Sequence, residues 1–377
     1  MVTKIKELDG LRACAILGVV AWHYLGTGGG PSSTAWHLFI VGRTGVDLFF
    51  VLSGYLITRI LLNSRGSPNY FGSFYRRRAL RILPLYAVAV LTYLVGRNLK
   101  GSAPVLFEGA VPWWSYVLGL QNFWMASLQE YGALWLAGTW SLAIEEQFYL
   151  LFPLVVYLTP PRLLGRLLVG LLLICPIARI VSFVGFDNNL AYYVLMPLRA
   201  DILAVGALIA WMEFYRVPTP KAARAVFWIT ALFFPAFAVL IGTNNDYHMA
   251  LWGHTYLVIL FGSMMSLVLG LQGSPALRFL RGRTLSFFAH ISYALYLVHV
   301  NVLFLTFLAL GYRGHDVTTR PGVLLTALSF AISVVMCGIS YRYFELPVMN
   351  WRFGLPGILA DAGLDPSARK NPASAAE

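Results

Sequence analysis

The chain has 377 residues, of which 58% are hydrophobic and only 12% charged, and its formal net charge is +12. Soluble domains carry about a quarter charged residues, so a water-soluble globular fold is excluded. A nucleic-acid binder would gather its basic residues into one patch; here they are spread among many short polar segments.

Apolar runs near 20 residues recur along the chain, the length a helix needs to cross a bilayer. Ten are read as helices, over about 9–25, 46–62, 79–96, 140–158, 163–183, 195–212, 225–241, 254–271, 286–310 and 322–341. The expected fold is all-α: a polytopic membrane helical bundle over 1–350, followed by a disordered, Pro- and Ala-rich cytoplasmic tail over 351–377. An eleventh candidate, VPWWSYVLGLQNFW at 111–124, is short and rich in tryptophan. With the N-terminus in the cytoplasm and ten spans, about 21 of the 28 Lys and Arg residues fall on cytoplasmic segments and about five outside. An eleventh span would flip everything after it and erase that bias. The 111–124 segment is therefore expected to be re-entrant or interfacial on the outer side. The first run carries Arg12 and His23, so it reads as a retained span of an inner-membrane protein and not as a cleaved signal peptide. Cys14, Cys175 and Cys337 lie in apolar runs without a CxxC pattern, so neither a disulfide framework nor a metal site is expected; they read as small core residues.

In the first span, DGLRACAILGVVAWHY at 9–24, Arg12 and His23 are eleven residues apart. In a helix they share one face, about 16 Å apart along the axis. Asp9 falls near the same face. An ionisable group at that depth faces protein or water and is a functional candidate; a structural histidine bonded between helices is the alternative. A neutral imidazole in a dry site suits general-base work. In the second span, GVDLFFVLSGYLI at 45–57, Asp47 sits at the outer mouth, Gly54 permits close helix approach, and Ser53 and Tyr55 offer hydrogen bonds to a substrate or to neighbouring helices. FYRRRALRILP at 74–84 opens the third span, with Arg78 and Arg81 three apart on one side. Their forked guanidinium groups suit phosphate, whereas Arg76 and Arg77 read as topology-setting charge.

TWSLAIEEQFYLLFP at 139–153 puts Trp140, Ser141 and two glutamates at the head of an apolar helix. Glu145 lies four residues from both Ser141 and Tyr149, so the three share a face. HISYALYLVHVN at 290–301 carries a polar stripe of Ser292, Tyr296 and His299. Glu345, just past the last span, reads as a salt-bridge partner of Arg342.

Taken in order, DGLRACAILGVVAWHY, GVDLFFVLSGYLI, FYRRRALRILPLY, TWSLAIEEQFYL, ISYALYLVH and YRYFELP closely resemble the acyltransferase-3 family of integral-membrane O-acyltransferases, over about residues 7–350. The family's basic-residue–ten–His motif falls on Arg12 and His23, and its RxxR motif on Arg78 and Arg81. The resemblance implies transfer of an acyl group, usually acetyl, from cytoplasmic acyl-CoA to a hydroxyl of a carbohydrate or glycosylated acceptor. Arg12, Arg78 and Arg81 would hold the donor. His23 would act as general base or transient acyl carrier, with Asp9, Glu145, Tyr296 and His299 as further catalytic candidates. Asp47, Ser53, Tyr55, Ser141 and Trp140 are candidate acceptor contacts. Some family members carry a fused extracytoplasmic esterase-like domain, which is not expected here. The competing reading is a transporter or flippase of a lipid-linked sugar, with the same charges lining a path.

Overall fold

The computed structural model describes residues 4–29, 34–99, 104–186, 188–218, 222–243, 245–312 and 314–350; the expected tail at 351–377 lies outside the described residues. Among the described residues, ten helices are long and apolar enough to cross a membrane: α1 Lys6–Gly26, α2 Ile40–Ser64, α3 Tyr70–Gly96, α4 Leu134–Leu158, α5 Pro161–Phe186, α6 Ala191–Phe214, α7 Ala222–Gly242, α8 Asp246–Gly270, α9 Arg283–Ala309 and α10 Arg320–Met349. No strand occurs among the described residues. The chain is an integral, multi-pass membrane protein. Its outer apolar residues agree: Leu232 on α7 is 76% exposed and Ile174 on α5 is 63% exposed, which suits lipid as the surrounding solvent.

Helix bounds differ from expectation mainly where helix formers flank an apolar run. The α3 helix begins at Tyr70 because the Arg-rich stretch before its apolar part continues the same helix. The 111–124 segment folds as two short helices, Trp113–Val117 and Gln121–Leu128, turned at Gly119 with φ +66. Neither is long enough to span a hydrocarbon core. Tyr86 of α3 donates to Tyr116 O at 2.8 Å and fixes the segment beneath the end of the bundle.

The centre is made by α1, α2, α6 and α9, with α2 the most buried span and α5 and α7 the least. The α2–α6 contact is closed by reciprocal glycines. A Cβ on Gly54 would run into Leu203 O, and one on Gly206 into Val51 O, so only glycine permits this backbone approach. Two buried ionic clusters tie α2 and α6 to α5 and α8. Arg179 of α5 grips Asp201 of α6 through two bonds, at 2.9 and 2.6 Å. Arg199 of α6 donates to Asp47 of α2 at 2.5 Å and lies 3.0 Å from His254 Nε2 of α8. Because the arginine can only donate, His254 Nε2 accepts, and its Nδ1–H turns to Asp47 at 3.3 Å.

At the end of the bundle where the chain begins, Arg281 and the Gly273 amide both donate to Glu7, and Arg65 donates to Thr159 O at 2.9 Å. These contacts place the loops around 65–69, 159–160 and 271–282 together at that end. Two expectations are corrected. Cys14 is exposed on the side of α1, whereas Cys175 and Cys337 are buried. Glu345 accepts a hydrogen bond from Ser340 at 3.2 Å and forms no ion pair with Arg342; a π-helical turn over Tyr341–Glu345 directs it back along its own helix.

Candidate active site

The α-helical part of α1 ends at Ala21, and Trp22–Gly26 continues as a π-helical turn. Such turns accompany functional sites, and this one carries His23. The His23 ring meets His299 of α9 at a centroid distance of 4.9 Å. Backbone carbonyls can only accept, so His299 Nδ1, 2.8 Å from Leu295 O and 2.9 Å from Tyr296 O, carries a hydrogen. Its Nε2 lone pair then faces His23 Nδ1 at 3.1 Å. His23 Nδ1 lies 2.9 Å from Val19 O, so it too is protonated and shared between the two acceptors. Both tautomers follow from this pattern of partners, and His23 Nε2 is left with its lone pair. Tyr24 donates to His299 O at 2.8 Å and contacts Ser333 at 2.9 Å, locking α1, α9 and α10 together behind the pair.

Two cavities flank this region. One, of about 420 Å³, is lined by His23, His299, Asn301, Arg43, Trp135 and Trp140, among others. The second, of about 100 Å³, lies nearer the end where the chain begins and is lined by Arg12, Arg78, Arg81, Ser53, Glu145 and Tyr149, together with Ser141 and Ser292. Val46 and Tyr296 are the two lining residues they have in common. The Tyr296 hydroxyl closes the wall between them, 2.5 Å from Ser141 Oγ and 3.1 Å from Gly138 O.

In the arginine cavity, Ser53 donates to Glu145 at 2.5 Å and Tyr149 donates to Ser53 at 3.1 Å. The Arg78 guanidinium stands 5.8 Å from the Tyr149 ring centre. Arg12 lies 3.8 Å from Asp9, while Arg78 and Arg81 have no carboxylate partner among the described residues. Three arginines from α1 and α3 thus converge on a cavity whose lining holds one carboxylate, Glu145, an excess of positive charge that fits a polyphosphate-bearing ligand. No three His, Cys, Asp or Glu side chains cluster as a metal site among the described residues.

The sequence-stated candidates therefore divide. Arg12, Arg78, Arg81, Ser53, Ser141 and Glu145 meet at one cavity, His23, His299 and Trp140 at the other, and Tyr296 between them. Three others stand apart from both. Asp47 is enclosed in the Arg199–His254 cluster and is 2% exposed. Tyr55 donates to Glu213 at 2.5 Å, and Asp9 pairs with Lys4 at 2.9 Å. Sequence reasoning passed over Arg43, Asn301 and Tyr193. Arg43 lies just before an apolar run and reads there as a loop charge; its only signal was proximity to the second span.

No solved structure matches the chain. It is 29% identical over 368 residues to the peptidoglycan O-acetyltransferase OatA of Listeria monocytogenes, covering 91% of this chain and 56% of that protein. It is 27% identical over 371 residues to the O-acetyltransferase OatA of Staphylococcus aureus, covering 93% of this chain and 58% of that one. The chain thus spans little more than half the length of these relatives. Residues 5–342, which include both cavities and the histidine pair, match the acyltransferase-3 family, described as an acyltransferase domain, and the chain belongs to that family.

Proposed function

We propose that the protein is an O-acyltransferase that moves an acyl group, acetyl in the first instance, from acyl-CoA to a hydroxyl of a carbohydrate or glycosylated acceptor. The observation that carries this reading is the pair of abutting cavities, one lined by three arginines against a single carboxylate and the other by a histidine with a bare Nε2. The names of the two relatives support acetyl as the group and a cell-wall saccharide as the acceptor class.

Arg78 and Arg81, with Arg12, hold the donor phosphates, and the thin pantetheine arm passes Tyr296 toward His23. His23 Nε2 takes the proton of the acceptor hydroxyl. The oxygen attacks the thioester carbonyl, the C–O bond forms, the C–S bond breaks, and the departing thiolate recovers the proton from the imidazolium. A positioned base contributes about 10²–10⁴-fold. The same lone pair can instead attack the carbonyl and carry the acyl group as an acyl-imidazole before the acceptor takes it. Glu145, which accepts from Ser53, lines the same cavity and offsets part of the arginine charge there. The end of the bundle bearing the arginine cavity faces the cytoplasm, where the donor is made.

The test is donor binding and consumption by the purified chain. Arg78→Ala or Arg81→Ala should weaken acetyl-CoA binding roughly 10–100-fold, the loss of a charge-assisted hydrogen bond, with an unchanged melting temperature. Lysine should rescue only in part, since it lacks the fork. Movement of a saccharide across vesicles without any consumption of acetyl-CoA would instead establish a transporter.

A further inference from the structure

Arginines inside the bundle follow a pattern. Arg179, Arg199 and Arg281 each reach a carboxylate, at 2.6, 2.5 and 2.7 Å. Arg78, Arg81 and Arg43, each half-buried, form no such direct ion pair among the described residues. All three line a cavity, and Arg43 alone lines the one that contains His23. Its nearest acidic candidate, Asp47, is already taken by Arg199 and His254. The Arg43 guanidinium rests 5.0 Å from the centre of the Tyr193 ring, a contact that orients the cation without cancelling its charge. Around it stand Trp22, Trp135, Trp140 and Tyr131, flat faces of the kind that pack against the apolar faces of sugar rings. A half-buried cation with no direct carboxylate partner is costly to hold away from water unless a ligand meets it.

We infer that Arg43 is a specificity residue and that the acceptor is an anionic saccharide, one that bears a carboxylate or phosphate which Arg43 grips while a hydroxyl is presented to His23. This rests on the carbohydrate-acceptor reading above and names the class of acceptor more narrowly. The guanidinium fork suits either anion.

The test is acceptor binding, measured calorimetrically on the detergent-purified full chain without acetyl-CoA. The probes are a neutral glucose oligosaccharide, a glucuronic acid oligosaccharide and a phosphorylated glucose oligosaccharide. At least one acidic probe should bind about 10-fold or more tighter than the neutral one, as expected for a charge-assisted contact, and the tighter acid identifies the anion. The gap should close in Arg43→Gln and persist in part in Arg43→Lys, which keeps the charge and guards against a folding defect in the first variant. Equal binding of acidic and neutral probes by the wild type overturns the inference, as does an acid preference that survives in Arg43→Gln, or no saccharide binding at all. An arginine that met only the negative charge developing on the acyl oxygen would give the first of these results. Acetyl transfer is scored separately, so a chain that binds acidic sugars but transfers nothing would refute the transferase reading and leave the anion site standing.

Discussion

His23 and His299 have the same side chain and opposite hydrogen-bonding duties. His299 spends its Nδ1–H on its own helix and offers Nε2 to His23, whereas His23 spends its Nδ1–H on Val19 O and His299 and keeps Nε2 bare. Replacing His23 by Ala should remove nearly all transfer, a loss on the order of 10²–10⁴-fold or more, while leaving acetyl-CoA binding and the melting temperature close to normal. If His23 is the base, the rate should fall as pH drops through the imidazole's titration in the enzyme–substrate complex, because the protonated ring can accept nothing. His299→Ala should be milder, roughly 10-fold, the worth of one orienting hydrogen bond, and should lower turnover more than donor affinity. Ordinary turnover by folded His23→Ala protein would remove His23 from the mechanism. The Arg12–His23 spacing and the Ser292–Tyr296–His299 stripe were legible because helical periodicity alone puts such residues on one face. The Asp47–Arg199–His254 cluster was not, since its members lie 152 and 55 residues apart and pair only once three helices have packed.

The helices show where local pattern ends and tertiary packing begins. The three π-helical turns among the described residues sit beside interior polar groups: Trp22–Gly26 carries His23, Met249–Gly253 precedes His254, and Tyr341–Glu345 ends on Glu345. A regular hydrophobic period cannot announce such a turn, because the extra residue is accommodated only against a neighbouring helix. Glycines carry a comparable ambiguity. Gly54 in a serine-flanked run suggested close approach, but its counterpart Gly206 carries no local signal, and only the packed pair shows why both lack a side chain. Gly206→Val should therefore push α2 and α6 apart, costing about 1–3 kcal/mol or more as overpacking, and should lower both melting temperature and detergent-extracted yield. Gly170→Ala on α5, where a Cβ meets nothing within 4 Å, should leave the protein unchanged or stabilise it by roughly 0.5–1 kcal/mol through helix propensity. Equal melting temperatures for Gly206→Val and wild type would mean the α2–α6 contact tolerates repacking.

At the scale of the whole molecule, the number of spans was readable from hydropathy because each run must satisfy its backbone inside lipid as a helix. The exclusion of 111–124 came from charge balance, and its two short helices agree with it. What hydropathy cannot supply is which faces of ten similar helices meet, and so the two cavities and their common wall emerge only from the packed bundle. The sidedness of those cavities decides the mechanism, since a donor from the cytoplasm must reach the arginines first. The loops at 65–69 and 271–282 lie at the arginine end and flank the 111–124 segment in sequence, one before it and one after. Cysteines introduced at Ser67 and Gln272 should therefore both be protected from an impermeant maleimide in intact cells and labelled after lysis. A cysteine at Glu108, on the exposed connection between α3 and α4, should be labelled without lysis. Labelling of Gln272→Cys alone among the first two would mean that 111–124 crosses the membrane after all. Labelling of both, with Glu108→Cys protected, would invert the bundle, put Arg78 and Arg81 outside, and rule out a cytoplasmic acyl-CoA as their ligand.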